Sequence, residues 1–101
     1  MSDEPMDWES DEPKQHLYLS ISGTVQGVGY RLWFQSKAKS LGISGWVKNC
    51  DDGRVEALVS GPFDKVEALL VAALVGPSFA KVDSLRRVGE APEHTGAFEV
   101  H

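Results

Sequence analysis

The segment from Gly23 to Arg31 (Gly-Thr-Val-Gln-Gly-Val-Gly-Tyr-Arg) constrains the fold of this chain more than any other part. Its three glycines allow backbone conformations that a Cβ would forbid, and they let several amide N–H groups point at one centre. An apolar alternation (Leu17, Leu19, Ile21) precedes the segment and a helical pattern follows it, so its last amides lie at a helix N-terminus, where an anion is favoured. The arginine adds a planar guanidinium that can bind two phosphate oxygens. The segment predicts an anion site, although its spacing alone leaves a purely structural turn equally open.

The glycine spacing argues against a nucleotide site. A Walker loop needs Lys and then Ser or Thr directly after its second glycine, whereas Gly27 is followed by Val28 and Gly29. A dinucleotide loop needs a further glycine at the position that Leu32 occupies. The segment therefore favours a small phosphorylated ligand over a nucleotide.

Charge divides the chain into an acidic N-terminal tail and one near-neutral domain. The chain has 101 residues and a net charge of −5, and six of its fifteen acidic residues but only one of its ten basic residues lie in the first sixteen positions. This polar segment contains two prolines and cannot bury enough surface to offset its ordering entropy. Residues 1–16 are therefore interpreted as a disordered tail and residues 17–101 as a single domain. The balanced charge of that domain argues against nucleic-acid binding.

Cysteine and histidine usage limits both the compartment and the chemistry. Cys50 is the only cysteine, which excludes an internal disulfide and indicates a reducing compartment. It has no basic neighbour in the sequence, so a catalytic thiol is not expected. His16, His94 and His101 lack metal-ligand spacing, so neither a metal nor a cofactor is expected. The chain has no apolar run that could span a membrane and no signal peptide, which predicts a cytoplasmic protein without a membrane partner, and a monomer is the default.

The apolar periodicity predicts the order strand, helix, strand, strand, helix, strand, strand. The predicted strands cover residues 17–25, 44–49, 54–60, 80–88 and 97–100. The first helix begins at Tyr30 and ends before Gly42, and the second runs from Pro62 to Gly76. The order βαββαβ plus a short C-terminal strand predicts an α+β fold of the ferredoxin-like split βαβ type, with two helices on one face of an antiparallel sheet.

This topology brings two distant parts of the chain together. The first and second strands run parallel with the third between them, so their C-terminal ends share one edge of the sheet. The Gly23–Arg31 segment follows the first strand and Asn49 ends the second. We therefore expect Asn49 to lie beside the glycine-rich loop.

Two motifs resemble those of the acylphosphatases: Val-Gln-Gly-Val-Gly-Tyr-Arg at residues 25–31 and Gly-Trp-Val-Lys-Asn at residues 45–49, followed by Asp-Gly-Arg-Val-Glu at 52–56. They occur in the family's order and at its usual separation, and the resemblance extends from about residue 17 to the end. It implies that the substrate phosphate is held by the main-chain amides of Gln26, Gly27, Val28, Gly29, Tyr30 and Arg31. It also implies that Arg31 binds and orients this phosphate and that Asn49 positions the attacking water. Tyr30 stands where the family often has phenylalanine.

The resemblance implies an acylphosphatase that hydrolyses small acyl phosphates to a carboxylate and inorganic phosphate, without a metal. A carboxylate leaving group needs no general acid, so positioning and charge stabilisation suffice. The alternative is a non-catalytic module of the same fold that binds phosphate or an acyl phosphate. The expectation that the chain is one complete unit favours the enzyme. A single-stranded RNA binder is a third hypothesis, disfavoured by the balanced charge.

Several nearby side chains have simpler interpretations. Gln26 is expected to contribute its main-chain amide more than its side chain. Trp33 and Trp46 are expected to be packing residues rather than substrate platforms. Asn49 also fits an ordinary turn before the Asp-Gly pair, because asparagine is common at such positions.

Overall fold

The computed structural model describes residues 13–101 of the chain. These residues form five strands and two α-helices in the predicted order, with boundaries shifted by a few residues. The elements are β1 (Lys14–Thr24), α1 (Tyr30–Ser40), β2 (Ser44–Asn49), β3 (Val55–Pro62), α2 (Phe63–Ala73), β4 (Lys81–Glu90) and β5 (Glu99–Val100). The ferredoxin-like split βαβ topology is therefore confirmed.

The five strands form one sheet in the order β4-β1-β3-β2-β5. The strand β3 lies between β1 and β2 and is antiparallel to both, so β1 and β2 end at the same edge of the sheet as predicted. The expectation of a fully antiparallel sheet is wrong at one place, because β5 pairs in parallel with β2. The reason is the path of the chain. Since β4 is antiparallel to β1, it finishes at the end of the sheet where β1 and β2 begin. The chain therefore enters β5 from that end and runs in the same direction as β2.

The strand β1 begins earlier than the apolar pattern predicts. Lys14 pairs with Pro62 of β3, and the side chains of Gln15 and His16 hydrogen bond to Glu67 at 2.8 Å and Ser60 at 2.6 Å. Backbone pairing needs no apolar side chain, so the polar residues 14–16 join the sheet although the sequence assigns them to the tail. Residues 1–12 of the predicted tail lie outside the described residues.

The hydrophobic core lies between the sheet and the two helices. On α1, Tyr30, Phe34 and Ala38 recur at intervals of four and form one buried stripe. The ring of Phe98 packs on Phe34 with the centroids 5.7 Å apart, which fixes the chain just before β5. The other buried core residues include Leu19, Ile21, Val25, Val47, Val55, Val59, Val66 and Leu69. This rigid layer holds the ends of β1 and β2 in a constant relation to the start of α1.

Candidate active site

The glycine-rich loop between β1 and α1 and the end of β2 enclose one cavity of about 160 Å³. The residues that line it are Val25, Gln26, Gly27, Gly29, Tyr30, Arg31, Leu32 and Asn49. The structure therefore brings Arg31 and Asn49 to one place, as the strand topology predicts. Of the six residues predicted to hold phosphate through their amides, only Val28 does not line the cavity. Its side chain is half-buried and packs against the hydrophobic core instead.

The backbone of the loop depends on two of its glycines. Gly27 and Gly29 have φ angles of 76° and 78°, in the left-handed region that favours glycine. A Cβ built on either would meet nothing within 4 Å, so the requirement is conformational rather than steric. Gly29 is the N-cap of α1 and its carbonyl accepts the amide of Trp33 at 3.0 Å. The amides of Tyr30, Arg31 and Leu32 precede that first helical hydrogen bond and are available to an anion.

Arg31 is held by the residue that follows β5. Its Nη1 donates a hydrogen bond of 2.5 Å to the main-chain oxygen of His101, seventy positions along the chain. Three contacts hold His101 in place. Its amide donates to the Val47 oxygen at 2.8 Å, its Nε2 lies 2.9 Å from Glu99 Oε1, and its ring stacks on Trp46 at 5.7 Å between centroids. The hydrogen bond from Nη1 orients the guanidinium and leaves four N–H donors of Arg31 for a ligand.

The sequence does not predict this role of His101. The motif at residues 25–31 gives no signal for it, because the contact depends on β5 pairing beside β2. Trp46 is a packing residue, as predicted, since it supports the His101 ring and lies 6.4 Å from Tyr18 between ring centroids. Trp33 packs against Tyr30 with the ring centroids 5.7 Å apart.

The side chain of Gln26 ties the glycine-rich loop to the turn that follows Asn49. Its Nε2 donates to the main-chain oxygens of Cys50 at 2.8 Å and Arg54 at 2.9 Å. These two oxygens belong to one tight turn, because the amide of Cys50 donates to Arg54 at 2.8 Å and that of Gly53 to Cys50 at 3.2 Å. The prediction that the main-chain amide of Gln26 matters more than its side chain is therefore incomplete. The carboxamide links the glycine-rich loop to the turn that follows Asn49.

The charged side chains of that turn stabilise each other. Arg54 binds Asp52 through Nε at 2.8 Å and donates through Nη1 to the buried hydroxyl of Ser20 at 2.7 Å. The hydrogen bonds from Arg54 lower the pKa of Asp52, so this carboxylate stays ionised. Arg54 thus anchors the turn to β1 and does not line the cavity.

Two groups that could carry chemistry are unsuited to it. Burial, with Glu56 nearby, raises the pKa of the Cys50 thiol, which disfavours the thiolate that a nucleophile needs. The hydroxyl of Tyr30 donates to the Ala73 oxygen at 2.7 Å, and burial raises its pKa above the ordinary range. Tyr30 therefore faces the core with its ring and can serve the cavity only through its main chain.

The histidines and the helices add two further observations. His16 and His94 hydrogen bond to Ser60 and Ser44, each at 2.6 Å. Within residues 13–101, no three His, Cys, Asp or Glu side chains cluster in a way that could hold a metal ion. Neither described helix is long and apolar enough to cross a membrane.

Comparison with known proteins agrees with this geometry. A sequence model of the acylphosphatase family matches residues 17–100. An acylphosphatase of Rhodospirillum rubrum is 56% identical over 70 residues, which cover 69% of this chain and 77% of that protein. The solved structure of an acylphosphatase from Coxiella burnetii matches with a TM-score of 0.84 at 30% identity, covering 91% of this chain and 96% of that one. One from Bacillus subtilis matches with a TM-score of 0.80 at 34% identity, covering 88% and 99%. The chain therefore belongs to the acylphosphatase family.

Proposed function

We propose that this protein hydrolyses the carboxyl–phosphate bond of small acyl phosphates, releasing a carboxylate and inorganic phosphate. The observation that carries the proposal is the shared cavity of about 160 Å³, which the glycine-rich loop, Arg31 and Asn49 line together. Membership of the acylphosphatase family supports the same activity. Family membership therefore favours an enzyme over a module that only binds phosphate.

The loop and Arg31 bind the phosphoryl group of the substrate. Amides from Gln26 to Arg31 and the guanidinium bind the phosphoryl oxygens, whose negative charge is spread over three equatorial positions in the transition state. These donors are fixed in advance by the left-handed glycines and by the hydrogen bond to His101. They therefore stabilise charge without reorganising at the moment of reaction.

Asn49 binds the attacking water. The oxygen of a water held by the carboxamide attacks phosphorus, the bond between phosphorus and the acyl oxygen breaks, and its electron pair leaves on the carboxylate. The proton of the water passes to a phosphate oxygen of the substrate, so no side chain acts as general base. A carboxylate leaves without protonation, which removes the need for a general acid. Every step uses groups of the chain or the substrate, so we propose a reaction that needs no metal.

The compartment and the oligomeric state are proposed from cysteine usage and charge. Its lone cysteine, Cys50, fits a reducing compartment, and we propose the cytoplasm. A small domain with balanced charge fits a monomer that binds a small metabolite rather than nucleic acid or a membrane.

The test is hydrolysis of benzoyl phosphate in the presence of a metal chelator. Arg31→Ala should weaken both substrate binding and inhibition by inorganic phosphate. Asn49→Ala should lower kcat by about 10²-fold or more while KM changes little, because the lost group acts only in positioning water. Arg86→Ala is the matched control, since Arg86 is an exposed arginine on β4 and should leave both constants unchanged.

The outcomes separate the hypotheses. A folded parent protein that binds inorganic phosphate but hydrolyses no acyl phosphate would overturn the enzyme and leave the binding module. Activity that vanishes with chelator and returns with a divalent cation would refute the metal-free reaction. A strong general-base pKa in the pH–rate profile would refute proton transfer to the substrate's own phosphate.

A further inference from the structure

The connection between α2 and β4 exposes large apolar side chains that the proposed chemistry does not use. Val75 and Phe79 are 73% and 83% exposed. Leu32 is 67% exposed and lines the cavity itself. Single exposed apolar residues are ordinary, but several beside one cavity are typical of a binding surface.

Both ends of this connection are anchored against the glycine-rich loop. At one end, a Cβ built on Gly76 would lie 2.9 Å from Cε1 of Tyr30, so the chain passes in direct contact with that ring. The hydroxyl of Tyr30 also reaches the Ala73 oxygen at 2.7 Å. At the other end, Lys81 pairs with Thr24, and a Cβ built on Gly23 would overlap the Lys81 oxygen. The Val75 and Phe79 side chains are therefore carried by a segment fixed beside the loop.

The strand order places this segment on the side of the loop opposite Asn49. Along the site edge of the sheet, Asn49 ends β2, the loop follows β1, and residues 74–80 precede β4, in the spatial order β2-β3-β1-β4. In phosphoryl transfer the attacking and leaving oxygens are roughly in line through phosphorus. A water bound at Asn49 therefore directs the leaving acyl group away from β2 and toward the segment that carries Phe79.

The size of the cavity also indicates that the acyl group extends out of it. Its volume is about 160 Å³, whereas pockets that enclose a drug-sized ligand measure about 300–1,000 Å³. The cavity accommodates the phosphoryl group, but an aromatic or long acyl group extends beyond it. The carbon chain must cross the edge of the cavity, where Leu32 lies.

We propose that Leu32 and Phe79 determine acyl-group specificity by packing on an aromatic or long apolar acyl group of the bound acyl phosphate. This inference rests on the proposed function, because it concerns the substrate of the same site. The contacts remove apolar surface of both partners from water, and an aromatic acyl group gains more than an acetyl group does. The enzyme should therefore discriminate by the size of the acyl group, not by the phosphate.

The test compares benzoyl phosphate with acetyl phosphate. We expect Phe79→Ser and Leu32→Ser each to lower the ratio of the two kcat/KM values, benzoyl over acetyl, by about fivefold, chiefly through KM for benzoyl phosphate. The matched controls are Phe63→Ser and Val88→Ser, whose side chains are about half exposed. Phe63 lies beside the start of β1 and Val88 lies opposite the middle of that strand, and neither residue lines the cavity. The ratio should be unchanged in both controls.

The possible failures are distinguishable. If the parent hydrolyses both substrates and the ratio stays within twofold in Phe79→Ser and Leu32→Ser, the inference is refuted and the proposed function stands. Equal losses for both substrates would also refute it, since they would indicate damage to the phosphate site. If the parent hydrolyses neither substrate, the proposed function fails first. Circular dichroism and thermal unfolding of each variant exclude misfolding as the cause of a change in ratio.

Discussion

The Gln26 side chain joins the anion-binding loop to the water-binding turn, and replacing it with methionine tests that link. Gln26→Met keeps the length and nearly the volume of the side chain but removes both donors, which reach Cys50 and Arg54 at 2.8 and 2.9 Å. Packing should therefore be preserved. The change isolates the two hydrogen bonds.

The magnitude of the stability loss follows from the partners that remain. A neutral hydrogen bond contributes about 0.5–1.5 kcal/mol net, and an orphaned buried group costs more. Neither acceptor is orphaned here, because the Cys50 oxygen keeps the Gly53 amide and the Arg54 oxygen keeps the Cys50 amide. We therefore expect a loss of about 1–2 kcal/mol in the free energy of unfolding. Because each kcal/mol shifts Tm by about 4–8 °C in a domain of this size, that is a fall in Tm of about 4–16 °C.

The effect on catalysis should be larger than on binding. The loop would keep its glycines and Arg31, so KM for benzoyl phosphate should change by less than about twofold, whereas a displaced Asn49 should lower kcat about tenfold. Steady-state kinetics measures both constants, and thermal unfolding followed by circular dichroism measures Tm. Gln15→Met is the control, since Gln15 donates to Glu67 at 2.8 Å near the other edge of the sheet. It should lose some stability and no activity.

A double variant decides whether Gln26 acts through Asn49. If it does, Gln26→Met in an Asn49→Ala background should lower kcat by less than about twofold, because the group it positions is already gone. Full additivity of the two losses would refute the reasoning. So would a single variant that loses stability but keeps its kcat.

Two further predictions concern stability. Tyr30→Phe removes the hydroxyl bonded to Ala73 at 2.7 Å and should lower the free energy of unfolding by about 1–2 kcal/mol. Urea unfolding checks this loss, and a kcat that fell more than about twofold would contradict the view that Tyr30 serves the site only through its main chain. Hydrogen bonds from Arg87 and Gln15 lower the pKa of Glu67 from its ordinary 4.5, so its contribution is complete above that pH and is lost as the pH falls through the lowered pKa. Glu67→Gln should therefore be less stable than the parent by about 0.5 kcal/mol at pH 7, and in urea unfolding the gap should close as the pH falls through the lowered pKa of Glu67. A gap that does not change as the pH falls would contradict the assignment.

The cavity itself follows largely from local sequence. The loop from Gly23 to Arg31 is recognisable because its glycines permit positive φ angles, and the apolar periods on either side determine a strand and a helix. The placement of Asn49 beside the loop follows from the order of elements, since the split βαβ topology admits few arrangements. Whether these residues carry the proposed chemistry stays a prediction.

The parts that sequence reasoning missed depend on contacts between distant residues. The carboxamide of Gln26 reaches main-chain oxygens 24 and 28 positions away, and such acceptors have no side-chain identity that a motif could record. The bond from Arg31 to His101 spans 70 positions. It exists because β5 pairs in parallel with β2, which the antiparallel expectation did not include.

The amino-acid sequence by itself determined the elements, their order and the chemical groups of the site, because backbone conformation and amphipathic period are properties of neighbouring residues. Only the tertiary structure decided how those groups are held. The Gln26 link, the His101 contact and the contact of Gly76 with the Tyr30 ring each join residues that only the packed structure brings within a few ångströms. Close packing fixes these distances. The sequence pattern carries no information about them, because the residues concerned are far apart in the chain.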